Sequence, residues 1–300
     1  MDYKEQITSL EDGLSVLAPA KINLSLLIAG RRPDGFHEIE TIMAKVNWYD
    51  EIFIEKAKEP GIELVCRGSY WAPEGRENLV FRAAEMLMER RGLKQSVRIT
   101  LTKNIPAGTG LGSASSDAAA TLIGLDKFLR AGLDEGNLKK MAAALGSDAA
   151  FFLDGPLAFC TGKGEKIQKI DKNFDFLAIL ILPPVSVSTK SVYENYIHDP
   201  ALYERLKTQI SEHMQKNRID LAIKVCANML ESACFGLNRE LADMKRKIEK
   251  LNIGPCCLSG SGSALFCVLE RGNESRARQY QRLIEEKIGC RSKIVSNNRW

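Results

Sequence analysis

PAGTGLGSASS, residues 106–116, is the stretch on which the fold turns. A strand-like run (97–102) precedes it, and helical spacing (117–129) follows it. Glycines at 108, 110 and 112 permit backbone angles closed to other residues and let the main chain approach a ligand closely. A helix starting directly behind them offers unpaired N–H groups and the positive end of its dipole, a ready anion site. Ser113, Ser115 and Ser116 add hydroxyls suited to phosphate oxygens or to the shell of a Mg²⁺ ion. The loop lacks the terminal GK[ST] of a Walker motif, and its third glycine falls one place too early for GxGxxG. An ordinary glycine-rich turn is the competing reading at this point.

Upstream, APAKINLSL (18–26) has strand alternation, with Lys21, Asn23 and Ser25 on one face and Ile22, Leu24 and Leu26 on the other. The apolar face belongs to the core, so Lys21 and Asn23 share the second face, where they either meet a ligand or face solvent. RRPDGFHEIE (31–40) joins a turn to an aromatic–histidine pair, Phe36-His37, a combination that can stack on and hydrogen-bond a planar heterocycle but is often structural. Downstream, LGSDAAFFLDG (145–155) sets Asp148 beside an apolar run. A partly desolvated carboxylate there suits a general base, and a helix-capping Asp is the simpler alternative. SGSGS (259–263), between two strand-like runs, either closes over the first loop or merely connects them.

Helical spacing over 78–91, 135–144, 201–216, 218–230, 239–250 and 275–287 is interleaved with short strands, the pattern of a mixed α+β protein. Two domains are expected, 1–170 and 171–300, with Pro183-Pro184 closing an apolar strand (174–182) near their junction. The chain has 300 residues, 45% hydrophobic and 27% charged, with a net charge of only +4, so an electrostatic nucleic-acid binder is excluded. No apolar window reaches membrane-spanning length and no export signal is visible, so a cytoplasmic location and no membrane partner are expected. The eight cysteines show no CxxC spacing, and buried reduced thiols are expected. His198 and His213 carry no ligand spacing, and no residue is assigned to a metal.

Taken together, the windows resemble the GHMP kinases: APAKINL, then P-x-G-x-G-L-G-S, then SGSG, in that order. ENLVFRAA (77–84), GKGEKI (162–167), PPVSVSTKSVY (183–193) and NMLE (228–231) extend the likeness over about residues 17 to 270. Within the superfamily they look most like the branch that acts on a cytidine diphosphate-linked methylerythritol. The resemblance implies an N-terminal domain like the second domain of ribosomal protein S5, a ferredoxin-like C-terminal domain, and ATP with Mg²⁺ as cofactors. It implies Lys21 and Asp148 as the catalytic pair. It places Asn78, Lys103, Pro106, Gly108, Gly110, Leu111, Gly112, Ser113, Ser115 and Ser116 around ATP. Asn23, Phe36, His37, Thr189 and Tyr193 would hold the small-molecule substrate, with two aromatics sandwiching cytosine. A kinase for another small alcohol, of the homoserine or mevalonate type, and a non-catalytic relative are the alternatives. Where many members read GGGLGGGSSNA, this chain has Thr109, Ser113, Ala114 and Asp117, which sets a carboxylate near the expected phosphates, and Phe36 replaces the usual Tyr.

Overall fold

The structure, a computed structural model, describes residues 3, 5–171, 175–216, 218–270 and 272–300. Strands β1 (Ile7–Ser9), β2 (Gly13–Arg31), β3 (His37–Lys56) and β4 (Ile62–Gly68) lead into helix α1 (Leu79–Arg91) and strand β5 (Val97–Lys103). Helices α2 (Ser113–Phe128) and α3 (Glu135–Leu145), a 3-10 turn (Ala149–Leu153), and strands β6 (Leu157–Gly162) and β7 (Lys166–Lys169) follow. These strands form one sheet in the order β1-β2-β3-β5-β4, with β6 pairing β3 and β7 pairing β6.

β2 and β3 are long enough to serve two cores. Leu14, Val16 and Ala18 of β2 pack under α1, α2 and α3, whereas Ala20 to Ile28 face the second half of the molecule. Register shifts after Pro19, Asn23 and Ile28 bend the pair between these duties. α2 lies close against the sheet because its inner face is small: a Cβ on Gly124 would come within 2.8 Å of Ile54 and Val16. Asn78 starts α1 by accepting from the Val80 amide, and left-handed Gly92 ends it.

The second sheet begins with β8 (Phe176–Leu182). Helices α4 (Thr189–Glu194), α5 (Pro200–Gln215), α6 (Ile219–Lys224), α7 (Glu231–Leu237) and α8 (Arg239–Glu249) separate it from β9 (Cys256–Leu258). β10 (Leu265–Glu270), α9 (Glu274–Ile288) and β11 (Arg291–Ser296) complete it. The order β11-β8-β10-β9 is antiparallel throughout, the 4-1-3-2 arrangement of a ferredoxin-like layer. Pro183 and Pro184 therefore follow a strand already inside this layer.

Several expectations are corrected. α2 begins four residues earlier than its spacing suggests, which brings the loop serines into its first turn. The helix expected over 218–230 stops at Lys224, because Cys226 turns to φ +52° and the chain runs on to pair with β2 through Leu26 and Asn228. The expected strand start at Phe174 lies outside the described residues. That same turn joins Cys226 to Cys257, with Cα atoms 5.5 Å apart, so not all thiols are free. Cys66, Cys160, Cys234, Cys256, Cys267 and Cys290 are reduced.

Candidate active site

The glycine loop lies at the seam of the two layers. Gly108, Gly110 and Gly112 have φ of +70°, +77° and +70°, the left-handed region that side chains avoid. The 259–263 loop closes on it: the Ser259 hydroxyl donates to the Gly110 carbonyl (2.9 Å), and the Ala264 amide donates to the Thr109 carbonyl (3.0 Å). The approach is so close that a Cβ on Gly110 would stand 1.9 Å from the Ser259 carbonyl oxygen. From the other side, the Lys21 amide donates to the Leu111 carbonyl at 2.9 Å, and a Cβ on Gly112 would press on the Lys21 side chain. Asn228 anchors the clasp by donating to both the Leu258 and Gly260 carbonyls.

Lys21 and Asp148 meet here. The Lys21 ammonium is 3.4 Å from Asp148 Oδ2, and it also donates to Asn23 Oδ1. Asn23 in turn donates to Thr41 Oγ1 at 2.9 Å, and Thr41 to the Ser25 carbonyl. The polar face of β2 is thus buried in the seam rather than solvated. Asp148 occupies the N-cap position of the 3-10 turn, but its side chain makes no capping bond, and it faces the cleft at 30% exposure. The end of that turn is held by buried Lys45, which donates to the carbonyls of Phe152 (3.1 Å) and Asp154 (2.6 Å).

Lys21, Asn23, Asp148, the three glycines, Ser113 and Ser115 all line one cleft of about 860 Å³, and Phe36, His37, Thr189 and Tyr193 line its far end. Phe36 is exposed, with the Lys163 ammonium 4.5 Å above its ring. His37 packs on Tyr193 with ring centroids 5.2 Å apart. Burial, together with the charges of Arg31 and His198, holds the His37 imidazole below its ordinary value and favours the neutral ring. Burial and the nearby Asp148 charge push the Tyr193 phenol up, so it stays protonated. Thr189 shares a 2.8 Å hydrogen bond with Ser261 of the closing loop.

Other assigned residues lie outside the cleft lining. Asn78 is buried and fully engaged, capping α1 and donating to the Pro73 carbonyl at 2.8 Å. Lys103 is buried between Asp50 and Asp117. Leu111 belongs to the core, Pro106 accepts from the Thr109 hydroxyl, and Ser116 is buried in α2. Asp117 does not face the phosphate end: burial raises its pKa, with Lys103 opposing and Asp50 reinforcing the rise. Tyr196 lines the cleft from outside every stretch quoted from the sequence, whereas Arg31, Lys163 and Ser261 line it from quoted stretches without an assigned role, as does His198, considered there only as a metal ligand. Tyr196 repeats the Tyr193 aromatic three residues on, the one signal that could have found it.

The GHMP kinases N terminal domain model matches residues 78–156, which contain the glycine loop and Asp148. A protein from Bacillus cytotoxicus named 4-diphosphocytidyl-2-C-methyl-D-erythritol kinase is 36% identical over 253 residues, 84% of this chain and 87% of its own. The chain belongs to that kinase family. A relative from Listeria innocua with the same name is 34% identical over 263 residues, 88% of this chain and 90% of its own. The crystal structure of a 4-(cytidine 5'-diphospho)-2C-methyl-D-erythritol kinase superposes with a TM-score of 0.74 at 31% identity, covering 95% of this chain and 99% of that one. Homoserine kinase from Cytophaga hutchinsonii shares the fold, with a TM-score of 0.73 at 18% identity over 97% of this chain and 96% of its own. The two-layer α+β architecture is therefore that of a small-molecule GHMP kinase. No described helix is long and apolar enough to cross a membrane.

Proposed function

We propose that this kinase transfers the γ-phosphoryl group of ATP to the 2-hydroxyl of 4-diphosphocytidyl-2-C-methyl-D-erythritol, a step of non-mevalonate isoprenoid precursor synthesis in the cytoplasm. The observation that carries the reading is one cleft with a glycine cradle at one end, Lys21 beside Asp148 in the middle, and a ring-lined pocket at the other. Homoserine and mevalonate carry no ring for Phe36, His37 and Tyr193 to grip.

The phosphate end fits a metal-bound triphosphate. The Ser113 hydroxyl is buried with no hydrogen-bond partner among the described residues, at the N-terminus of a 16-residue helix. Among the described residues no group of three or more His, Cys, Asp or Glu side chains is placed to hold a metal ion, so Mg²⁺ would be held by phosphate oxygens with Ser113. Bound there, Mg²⁺ supplies charge neutralisation on the phosphates. The chain's own contribution is positioning and proton transfer. Asp148 accepts the proton of the attacking hydroxyl as the O–P bond forms and the bond from the γ-phosphorus to the bridging oxygen breaks. Lys21 pairs with Asp148 and offsets charge on the transferred group, and Asn23 holds Lys21 in place.

The test is coupled ADP release with the cytidylated alcohol, homoserine and mevalonate as acceptors. The highest kcat/KM should belong to the cytidylated alcohol. Preference for either of the others would reassign the substrate, and no turnover with any of them would remove the enzyme reading.

A further inference from the structure

Rings continue past the residues named for the proposed substrate. Tyr196 and His37 meet in a T-shaped contact, with centroids 5.6 Å apart and planes at 83°. This is a favourable quadrupolar arrangement for two rings. The Tyr196 hydroxyl is 3.3 Å from His198 Nδ1, so the phenol has a polar partner as well as a ring partner. His198 in turn lies tilted at 49° to Tyr203, centroids 6.3 Å apart, and the Tyr203 hydroxyl donates to Glu40 at 3.0 Å. Glu40 and His37 both belong to β3. A ladder of rings thus leaves β3 at His37, runs through the 193–203 segment of the second layer, and returns to β3 at Glu40.

His37 opens β3, where it pairs with Arg31 of β2, and β6 takes up its pairing with β3 only from Ile39, two residues further on. Tyr193 covers it at a 34° tilt, and this one ring contact leaves turning about the His37 Cβ–Cγ bond as the motion still to be restrained. A second ring set across the first opposes that turning. We infer that Tyr196, held by His198, is a positioning residue that fixes the His37 ring so that it can hydrogen-bond the nucleobase of the substrate. This rests on the nucleotide-linked reading of the cleft. The role is selective: Tyr196 and His198 line the ring end of the cleft, whereas the glycine cradle is built from other segments.

Two variants and two readouts test it. Tyr196→Leu keeps bulk but removes the ring edge and the hydroxyl; Tyr196→Phe removes the hydroxyl alone. With Tyr196→Leu the KM for the cytidylated alcohol should rise about tenfold, the scale of one lost edge-to-face contact, while the KM for ATP moves less than about twofold. Tyr196→Phe should fall between that variant and the wild type. Independently of turnover, the carbon-bound proton signals of His37 in the ligand-free protein should shift in Tyr196→Leu. An unchanged KM for the alcohol, unmoved His37 signals, or parallel rises in both KM values with a lowered Tm would each overturn the inference. Wild-type protein that ignores the cytidylated alcohol while the His37 signals still move with Tyr196→Leu would sink the substrate reading and leave the positioning of His37 standing.

Discussion

Asp148 is the residue on which the chemistry rests, and its surroundings separate its proposed role from a structural one. An Asp at an N-cap position normally spends its carboxylate on a backbone amide. This one spends it on Lys21 of β2, 3.4 Å away, and leaves the turn to be secured from its far end by Lys45. Removing its charge should therefore cost little stability and much chemistry. Asp148→Asn is expected to lower kcat by at least about 100-fold while ATP binding, followed by calorimetry, stays near that of the wild type. A near-normal kcat would take Asp148 out of the proton-transfer step. Asp117 teaches the opposite lesson. In sequence it stands one residue behind the loop serines, but in space it is folded inward onto Lys103 and Asp50, which come from two different strands.

At the level of elements, the clasp between the glycine loop and the 259–263 loop makes two outwardly similar glycines unequal. A methyl group on Gly110 collides with the Ser259 carbonyl, whereas one on Gly108 meets no atom within 4 Å. Gly110→Ala must part the loops. It should weaken ATP binding by at least about 100-fold, whereas Gly108→Ala should cost only the strain of a left-handed backbone, about tenfold. Titration of both variants with ATP would settle the ranking, and equal losses would contradict it. The loop, the alternation of β2 and the apolar run after Asp148 were legible because each is a pattern within about a dozen residues. What escaped was long-range. The inward turn of Asp117, the break of the chain after Lys224, and the gathering of Tyr196 and His198 beside His37 all depend on partners far away in the chain. Asn78 shows a mixed case. Its place ahead of a helical run is a capping signal, and in the fold its side chain is spent on that cap.

For the molecule as a whole, β2 and β3 are shared property. Tyr203 and Lys207 of α5 both bond Glu40 of β3, and the Asn298 amide returns from the C-terminal tail to the Lys45 carbonyl. Lys45 itself is fully buried, and burial pushes its pKa down to about 7. Because the folded value lies below the ordinary 10.5, the unfolded chain binds the extra proton throughout the interval between them. Stability from this group is thus complete above pH 10.5, declines as pH falls towards 7, and changes little below that. Melts of the wild type and Lys45→Met at pH 7 and at about pH 9.5 should show the wild type gaining Tm relative to the variant at the higher pH. Parallel behaviour would mean that Lys45 is charged in the fold at both values.

The clasp over Gly110 is fastened at main-chain carbonyls, with the side chains of Ser259 and Asn228 as donors beside the Ala264 amide. Main-chain atoms are the same whatever the codon, so point mutation can rewrite this end of the cleft at very few positions. The ring end is built almost wholly from side chains, each open to exchange. Choice of phosphoryl donor and choice of acceptor are therefore separately heritable in this chain, and a lineage can drift towards a new alcohol while its nucleotide stays the same.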